Sequence, residues 1–208
     1  LVPRGSHMSE RADGAQRALA QVRLLWGVCG SFSAVAVPHV NAWLRGTVGV
    51  QEIRTVMTAQ ARALMGPRMI EAVTGHAPVT DWEDHKGGGA AHVALGAWAD
   101  VLVILPATAN FLAKAAHGIA DDVLTATVLA AECPTVIAPV MNAAMWSKPA
   151  VQRNVDQLRE DGYRIVEPKE GISLTEGRRE PGSLGDFQSA ISTALIQAAA
   201  RRTDPRGQ

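Results

Sequence analysis

Apolar residues in this chain gather in short strand-like segments separated by stretches of helical spacing. The segments are Val22-Arg-Leu-Leu-Trp-Gly-Val-Cys29, Val48 to Met57, Val101-Leu-Val-Ile-Leu105, Thr135-Val-Ile-Ala138 and Tyr163-Arg-Ile-Val166, the third and fourth being continuous apolar runs. Continuous rather than alternating apolar character predicts strands covered on both faces, as in a parallel sheet. Helices are expected after Gly30 through about Leu44, from Thr58, from Ala91, between Asn110 and the fourth run, from Trp146 to Gly162, and over Phe187 to Ala200. Strand and helix alternate, which predicts an α/β three-layer sandwich with a mostly parallel central sheet. The segment from Asp100 to Trp146 reads as strand, turn, one long amphipathic helix, strand and turn, with Gly118-Ile-Ala-Asp-Asp122 inside the helical part.

Small, hydroxyl and amide residues gather where the strands stop. The first strand runs into Gly30-Ser31-Phe32-Ser33, the second into Thr58, the third into Pro106-Ala-Thr108-Ala109-Asn110-Phe111, and the fourth into Pro139-Val140-Met-Asn142-Ala-Ala-Met145-Trp146. Ligands of open α/β sheets bind outside the carboxyl ends of the strands, so these turns belong at a site. Gly30-Ser31 at a helix start offers backbone N–H groups and a hydroxyl to an anion. The same residues also serve as a tight turn with an N-cap, and Thr58 fits both roles in the same way. No G-x-G-x-x-G turn for a pyrophosphate is present.

Length and charge narrow the classes. The 208 residues, 22.0 kDa and 47% hydrophobic content suit one core and one domain, placed at residues 9–202 with a tail at 203–208. Residues 1–8, LVPRGSHM, look like an expression-tag remnant with a protease site, so the native start is expected at Met8 or Ser9. Twenty basic and twenty acidic residues cancel, which argues against a nucleic-acid partner. No apolar run approaches the ~20 residues of a membrane helix. No secretory signal is seen, and a cytoplasmic location is expected. The two cysteines, Cys29 and Cys133, lie in or beside strand-like segments and read as buried reduced thiols. His76, His85, Asp81, Glu83 and Asp84 match no standard ligand spacing, so the region 66–89 reads as a solvated loop and no metal is expected. His92 is ambiguous by chemistry alone: structural, or an acid–base group. Residues 167–186, EPKEGISLTEGRREPGSLGD, are polar and long, the mark of a functional or disordered loop.

The two later turns resemble the paired signatures of the homo-oligomeric flavin-containing cysteine decarboxylases, P-A-S-A-N-T and P-x-M-N-x-x-M-W. The second match is complete; the first departs at Thr108 and Phe111. The turn after the first strand resembles the family's G-S-x-A-A, with Ser33 in place of Ala, and His92-Val-Ala-Leu95 followed by Trp98-Ala-Asp100 resembles its H-I-x-L and W-A-D. The resemblance covers roughly Val22 to Leu195 and implies a Rossmann-like or flavodoxin-like fold with FMN at the carboxyl edge. It implies FMN contacts from Gly30, Ser31, Phe32, Ser33, Thr58, Thr108, Ala109, Asn110 and Val140, and a homo-oligomer, trimer or dodecamer, with FMN near subunit contacts. It makes His92 the base that helps remove a cysteine thiol proton while a hydride leaves Cβ for FMN. The resulting thioaldehyde is the electron sink for loss of CO₂, and the product is an ene-thiol. Asn142 suits the carboxylate as a neutral donor, Asn110 suits flavin or substrate, and Met145 and Trp146 are either an apolar wall or plain core.

Two substrate branches compete within this family. One decarboxylates phosphopantothenoylcysteine for coenzyme A. The other decarboxylates the C-terminal cysteine of a ribosomally made precursor peptide, on the way to aminovinyl-cysteine in lanthipeptide-type products. The coenzyme A branch carries a reducing cysteine in its flap, and a lysine and an arginine where this chain has Ala36 and Ala97; residues 167–186 hold no cysteine. The peptide branch is therefore expected, with Arg178 and Arg179 guiding an extended peptide under a flap at 167–186. A third alternative is a flavin-binding regulatory protein without turnover; such relatives carry long acidic tails, whereas this chain ends in RRTDPRGQ.

Overall fold

The computed structural model describes residues 14–84, 90–172 and 177–203. Its centre is a five-stranded sheet, all parallel, in the order β2-β1-β3-β4-β5. The strands are β1 (Arg23–Val28), β2 (Glu52–Met57), β3 (Val101–Ala107), β4 (Thr135–Pro139) and the short β5 (Arg164–Ile165). Every residue of β3 and β4 is buried, as their unbroken apolar runs require of strands covered on both faces.

Successive side chains along a strand point to opposite faces, and β1 shows it. Leu24, Trp26 and Val28 join one core with Ile53, Met57, Val103, Leu105, Ile191 and Leu195; Leu25 and Cys29 join the other with Leu102, Ile104, Phe111, Leu112, Leu124 and Leu158. The buried indole N–H of Trp26 donates to the Leu105 carbonyl at 2.8 Å, so this large side chain leaves no polar atom unmet.

A helix over 14–20 (α1) precedes β1. A 3₁₀ turn (Phe32–Ala36) then leads into α2 (Val37–Trp43), and a π-helical turn (Leu44–Val48) follows. The second strand therefore begins at Glu52, not Val48: the helix runs on until Gly49 adopts a left-handed conformation and stops it. After β2 come α3 (Ala59–Leu64) and α4 (Pro67–Thr74). α4 corrects the expectation of irregular chain from Gly66, because Pro67 sits in the first turn, where a proline is tolerated, and Gly75 terminates it. α5 (Ala91–Trp98) leads back to β3.

The connection from β3 to β4 is two helices, α6 (Ala109–Ala116) and α7 (Val123–Ala130), rather than one. Gly118 at φ +65° turns the chain. Asp122 then starts α7 with a reciprocal cap, accepting from the Thr125 amide at 2.9 Å while the Thr125 hydroxyl accepts from the Asp122 amide at 3.2 Å. Then follow α8 (Ala143–Trp146), α9 (Pro149–Glu160) and β5, and finally α10 (Phe187–Thr203).

Between β5 and α10 the chain is not a plain loop. β6 (Lys169–Ile172) and β7 (Arg179–Ser183) pair antiparallel as a separate two-stranded hairpin. Its polarity suits strands outside the main sheet, where ladder hydrogen bonds form without a hydrophobic face. Among the described residues, no helix is long and apolar enough to cross a membrane.

Candidate active site

Strand order decides where a site can form. The chain leaves β1 toward β2 on one side and returns past β1 to β3 on the other, so the switch lies between β1 and β3. Backbone bonds clamp the strand ends together there: Thr58 N donates to Val28 O at 3.1 Å, Cys29 N to Pro106 O at 3.1 Å, and Val140 N to Ala107 O at 2.9 Å. Four turns distant in sequence thus meet at one edge.

A cavity of about 390 Å³ opens at this edge, lined by Gly30, Thr58, Gln60, Thr108, Asn110, Phe111, Lys114, Asp122 and Thr125. Gly30 is required there by close approach, since a Cβ would collide with Gln60. Each strand-end polar residue caps the next helix. Thr58 Oγ1 accepts from Ala61 N at 3.2 Å, Thr108 Oγ1 from Phe111 N at 3.3 Å, Asn142 Oδ1 from Met145 N at 2.8 Å, and Ser31 Oγ from Ser33 N at 3.3 Å. These caps use acceptor oxygens. The first amides of α3 and α6 have no intrahelical partner by helix geometry, and they open on the same edge.

Of the residues singled out in the sequence, Gly30, Thr58, Thr108 and Asn110 share this cavity. Ala109 is the half-buried first residue of α6, and Val140 is half-buried where its amide meets Ala107 at the end of β3. Ser31 and Phe32 instead line an adjoining apolar hollow of about 310 Å³ with Val35, Leu64 and Met69, and Phe32 is 64% exposed. Ser33 is half-buried in the same 3₁₀ turn. The departure at Phe111 has a packing reason: its ring is 2% exposed and fills the core beneath α6.

Asn142 is exposed, and its amide nitrogen has no partner among the described residues, so the cap leaves its donors outward. Met145 is 44% exposed, which removes it from the core. Trp146 is half-buried and packs on the core cluster. Arg178 and Arg179 are exposed at the start of β7. The hairpin docks on the Asn142 turn through Met141 N donating to Gly182 O at 3.1 Å. Gly182, at φ +102°, is needed there because a Cβ would strike the Met141 carbonyl.

His92 is half-buried on the first turn of α5 and is not among the cavity's lining residues. α5 runs back toward the start of β3, which places its beginning at the carboxyl side of the sheet. Gly96 fixes its depth, since a Cβ would lie 2.9 Å from the Ala130 backbone of α7. Trp82 stands perpendicular to His92, ring centroids 5.5 Å apart and planes at 89°.

The sequence reading missed Gln60, Lys114, Asp122 and Thr125. Lys114 Nζ reaches Asp121 at 2.7 Å and Asp122 at 3.4 Å, and the hydrogen bond to Asp121 raises its ammonium above the ordinary value. The signal lay in Gly118-Ile-Ala-Asp-Asp122, an acidic pair seven and eight residues beyond Lys114, too far apart to read as one cluster without the turn. Cys29 lies fully buried behind Thr108. Burial pushes its thiol up to about 12, against the opposing hydrogen bonds from Thr108, so it remains an inert thiol. Cys133, also free, is pushed up to about 11 by burial.

The family model described as Flavoprotein matches residues 14–195. The solved structure of the FMN-dependent cysteine decarboxylase SpaF aligns with a TM-score of 0.82 and 96% sequence identity, covering 87% of this chain and 99% of that one. Mersacidin decarboxylase from a Bacillus species is 37% identical over 165 residues, 78% of this chain and 83% of its own length. The bifunctional coenzyme A biosynthesis protein CoaBC of Bacillus subtilis is 42% identical over 154 residues, 74% of this chain; the match spans only 38% of that longer protein.

Proposed function

This chain belongs to the Flavoprotein family, and on that premise we propose that it removes the carboxylate from the C-terminal cysteine of a ribosomally made precursor peptide, with FMN as cofactor. The observation that carries the reading is the 96% identity to the cysteine decarboxylase SpaF across 87% of the chain. The carboxyl-edge site suits the cofactor. Its cavity lies at the sheet's switch point, Gly30 keeps the backbone open to a ligand, and Thr58, Gln60, Thr108 and Asn110 offer neutral polar groups beside helix N-termini.

Bound FMN supplies a two-electron acceptor for the hydride that leaves the cysteine Cβ. The chain's own residues do the rest. Gly30, Ser31, Phe32, Ser33 and Thr58 hold the cofactor's phosphate end, and Thr108, Ala109, Asn110 and Val140 hold the remainder. His92 takes the thiol proton. The free amide donors of Asn142 hold the substrate carboxylate without a positive charge that would oppose loss of CO₂. Met145 and Trp146 exclude water, and Arg178 and Arg179 on the hairpin guide the peptide toward the Asn142 turn. The working assembly is a homo-oligomer, trimer or dodecamer.

The 42% identity to CoaBC favours a second reading, phosphopantothenoylcysteine as substrate. Residues 167–186 contain no cysteine to return electrons to the ene-thiol, which supports the peptide instead. Mass spectrometry separates the two. A peptide ending in cysteine should lose CO₂ and two hydrogens, with FMN reduced in equal amount under anaerobic conditions. Redox-neutral formation of phosphopantetheine would select the second reading.

A further inference from the structure

The environment of His92 contains a feature that neither the cavity nor the caps explain. Its Nδ1 is buried and has no hydrogen-bond partner among the described residues. A buried polar atom left unmet is costly, so such an atom in a folded chain calls for a reason. The usual device for fixing a histidine tautomer is a hydrogen bond from Nδ1 to a carbonyl or carboxylate, and among the described residues there is none. What stands against the imidazole is the indole of Trp82, its plane perpendicular to the imidazole at 89° with ring centroids 5.5 Å apart.

Both rings are held from behind. Trp82 sits in the short turn Trp82–Asp84, and Asp84 Oδ2 closes that turn by accepting from Thr80 N at 2.7 Å, Thr80 Oγ1 at 2.8 Å and Asp81 N at 3.0 Å. Asp81 Oδ1 accepts from Trp82 N at 2.7 Å. The turn is anchored to the outer edge of β2, where Met57 N donates to Val79 O at 2.9 Å and Val79 N to Thr55 O at 2.9 Å. His92 is held by α5, pressed against α7 at Gly96. An indole 43% exposed on an otherwise polar turn is not explained by core packing.

We propose that Trp82 is the positioning residue for His92, the face of its indole taking the Nδ1 edge of the perpendicular imidazole so that Nε2 is the nitrogen presented to the substrate thiol. This rests on the reading of His92 as the base. Neutral imidazole carries one N–H and one lone pair, and only the lone pair can accept the thiol proton. An aromatic face attracts an N–H but repels a lone pair. The contact therefore keeps the proton on Nδ1 and the lone pair on Nε2, and it fixes the ring plane.

The test uses FMN-loaded protein labelled with ¹⁵N-histidine, with His92→Asn to assign the signals, beside Trp82→Phe and Trp82→Leu. Neutral His92 should be the Nδ1–H tautomer in the parent and in Trp82→Phe, and should shift toward Nε2–H in Trp82→Leu. Turnover of Trp82→Leu should fall about tenfold to a hundredfold in kcat, the scale of a misplaced catalytic group, with KM and FMN affinity nearly unchanged and with Trp82→Phe restoring most of the loss. An Nε2–H tautomer in the parent, or parental kcat in Trp82→Leu, overturns the proposal. Should Trp82→Leu fail to fold, the tautomer in the parent and in Trp82→Phe still decides it. Full turnover by His92→Asn would instead sink the base reading, while the tautomer signal would still report on the Trp82 contact.

Discussion

The two ends of the sheet hold cavities of nearly equal size made from opposite materials. At the amino end, about 410 Å³ is lined by Gln21, Arg23, Asp100, Cys133, Pro134, Ala198, Arg201 and Arg202. Asp100 answers two of these cations: Oδ1 accepts from Arg23 Nη2 at 2.9 Å, and Oδ2 from Arg202 Nη1 and from the Arg23 amide, both at 2.8 Å. Burial pushes its carboxyl up, but those donors more than offset it and hold it below the usual carboxylate range. At the carboxyl end, about 390 Å³ is lined mainly by hydroxyls, amides and small residues, with its one lysine paired. There the acceptors cap helices while the amide donors of Asn142 and of the helix starts are left without partners among the described residues. Groups that satisfy one another hold a fold together; groups half-satisfied are available to a ligand. Size alone would not have told the two cavities apart.

Replacing His92 tests the carboxyl end most severely. His92→Asn should retain FMN and the thermal midpoint yet lose turnover by about 10²–10⁴, the range for a general base; peptide decarboxylation beside flavin absorbance measures both. Parental turnover in that variant would return His92 to a structural role.

Asn142→Asp comes next, because it sets a carboxylate against the substrate's own. A like-charge contact costs several kcal/mol, so kcat/KM should drop by about 10²-fold or more, while a C-terminally amidated peptide should lose far less affinity than the acid. Equal affinities for acid and amide in the parent would remove Asn142 from carboxylate binding.

Gly30→Ala sharpens the comparison through geometry. Its Cβ meets the Gln60 backbone as well as its side chain, so α3 must shift. We expect about 1–3 kcal/mol lost from stability, as for a strained or overpacked site, and weaker FMN binding in fluorescence titration. Unchanged affinity would separate the first turn from the cofactor.

The amino end gives the smallest effect and the opposite signature. Asp100→Asn should cost about 1 kcal/mol, since its arginine partners are partly exposed, and should leave turnover intact. The sign of its pH dependence follows from the depressed carboxyl. Its contribution is present above the unfolded value of roughly 3.9 and is lost as pH falls through the lower folded value. The stability gap between parent and Asp100→Asn should therefore stand at neutral pH and close in acid, as melts across pH 2–7 (a span of about five units) would record. Lost decarboxylation in this variant would join the two ends functionally.

Much of this was legible in the chain alone. The five strand-like segments became the five strands, and the four strand-end turns became the carboxyl edge, because both signals are local: apolar-rich stretches punctuated by Gly, Pro and capping residues. Helix continuity was misread twice, at Gly118 and at Pro67, since a turn or a first-turn proline looks the same whether it interrupts a helix or begins one. The polar stretch 167–186 gave no packing signal, and only pairing between its own halves makes β6 and β7.

By itself, then, the sequence determined the kind of elements, their ends and the neutral chemistry of the turns. Only the tertiary structure decided that β3 lies beside β1 rather than β2, which brings Thr108 to Gly30 and Thr58. It alone turned Lys114 and Asp122 into the same cavity, set Trp82 against His92, and docked Gly182 on Met141 beside Asn142. Such contacts join residues whose spacing along the chain has no period, and they are selected by burial and close approach across the whole core rather than by any local preference.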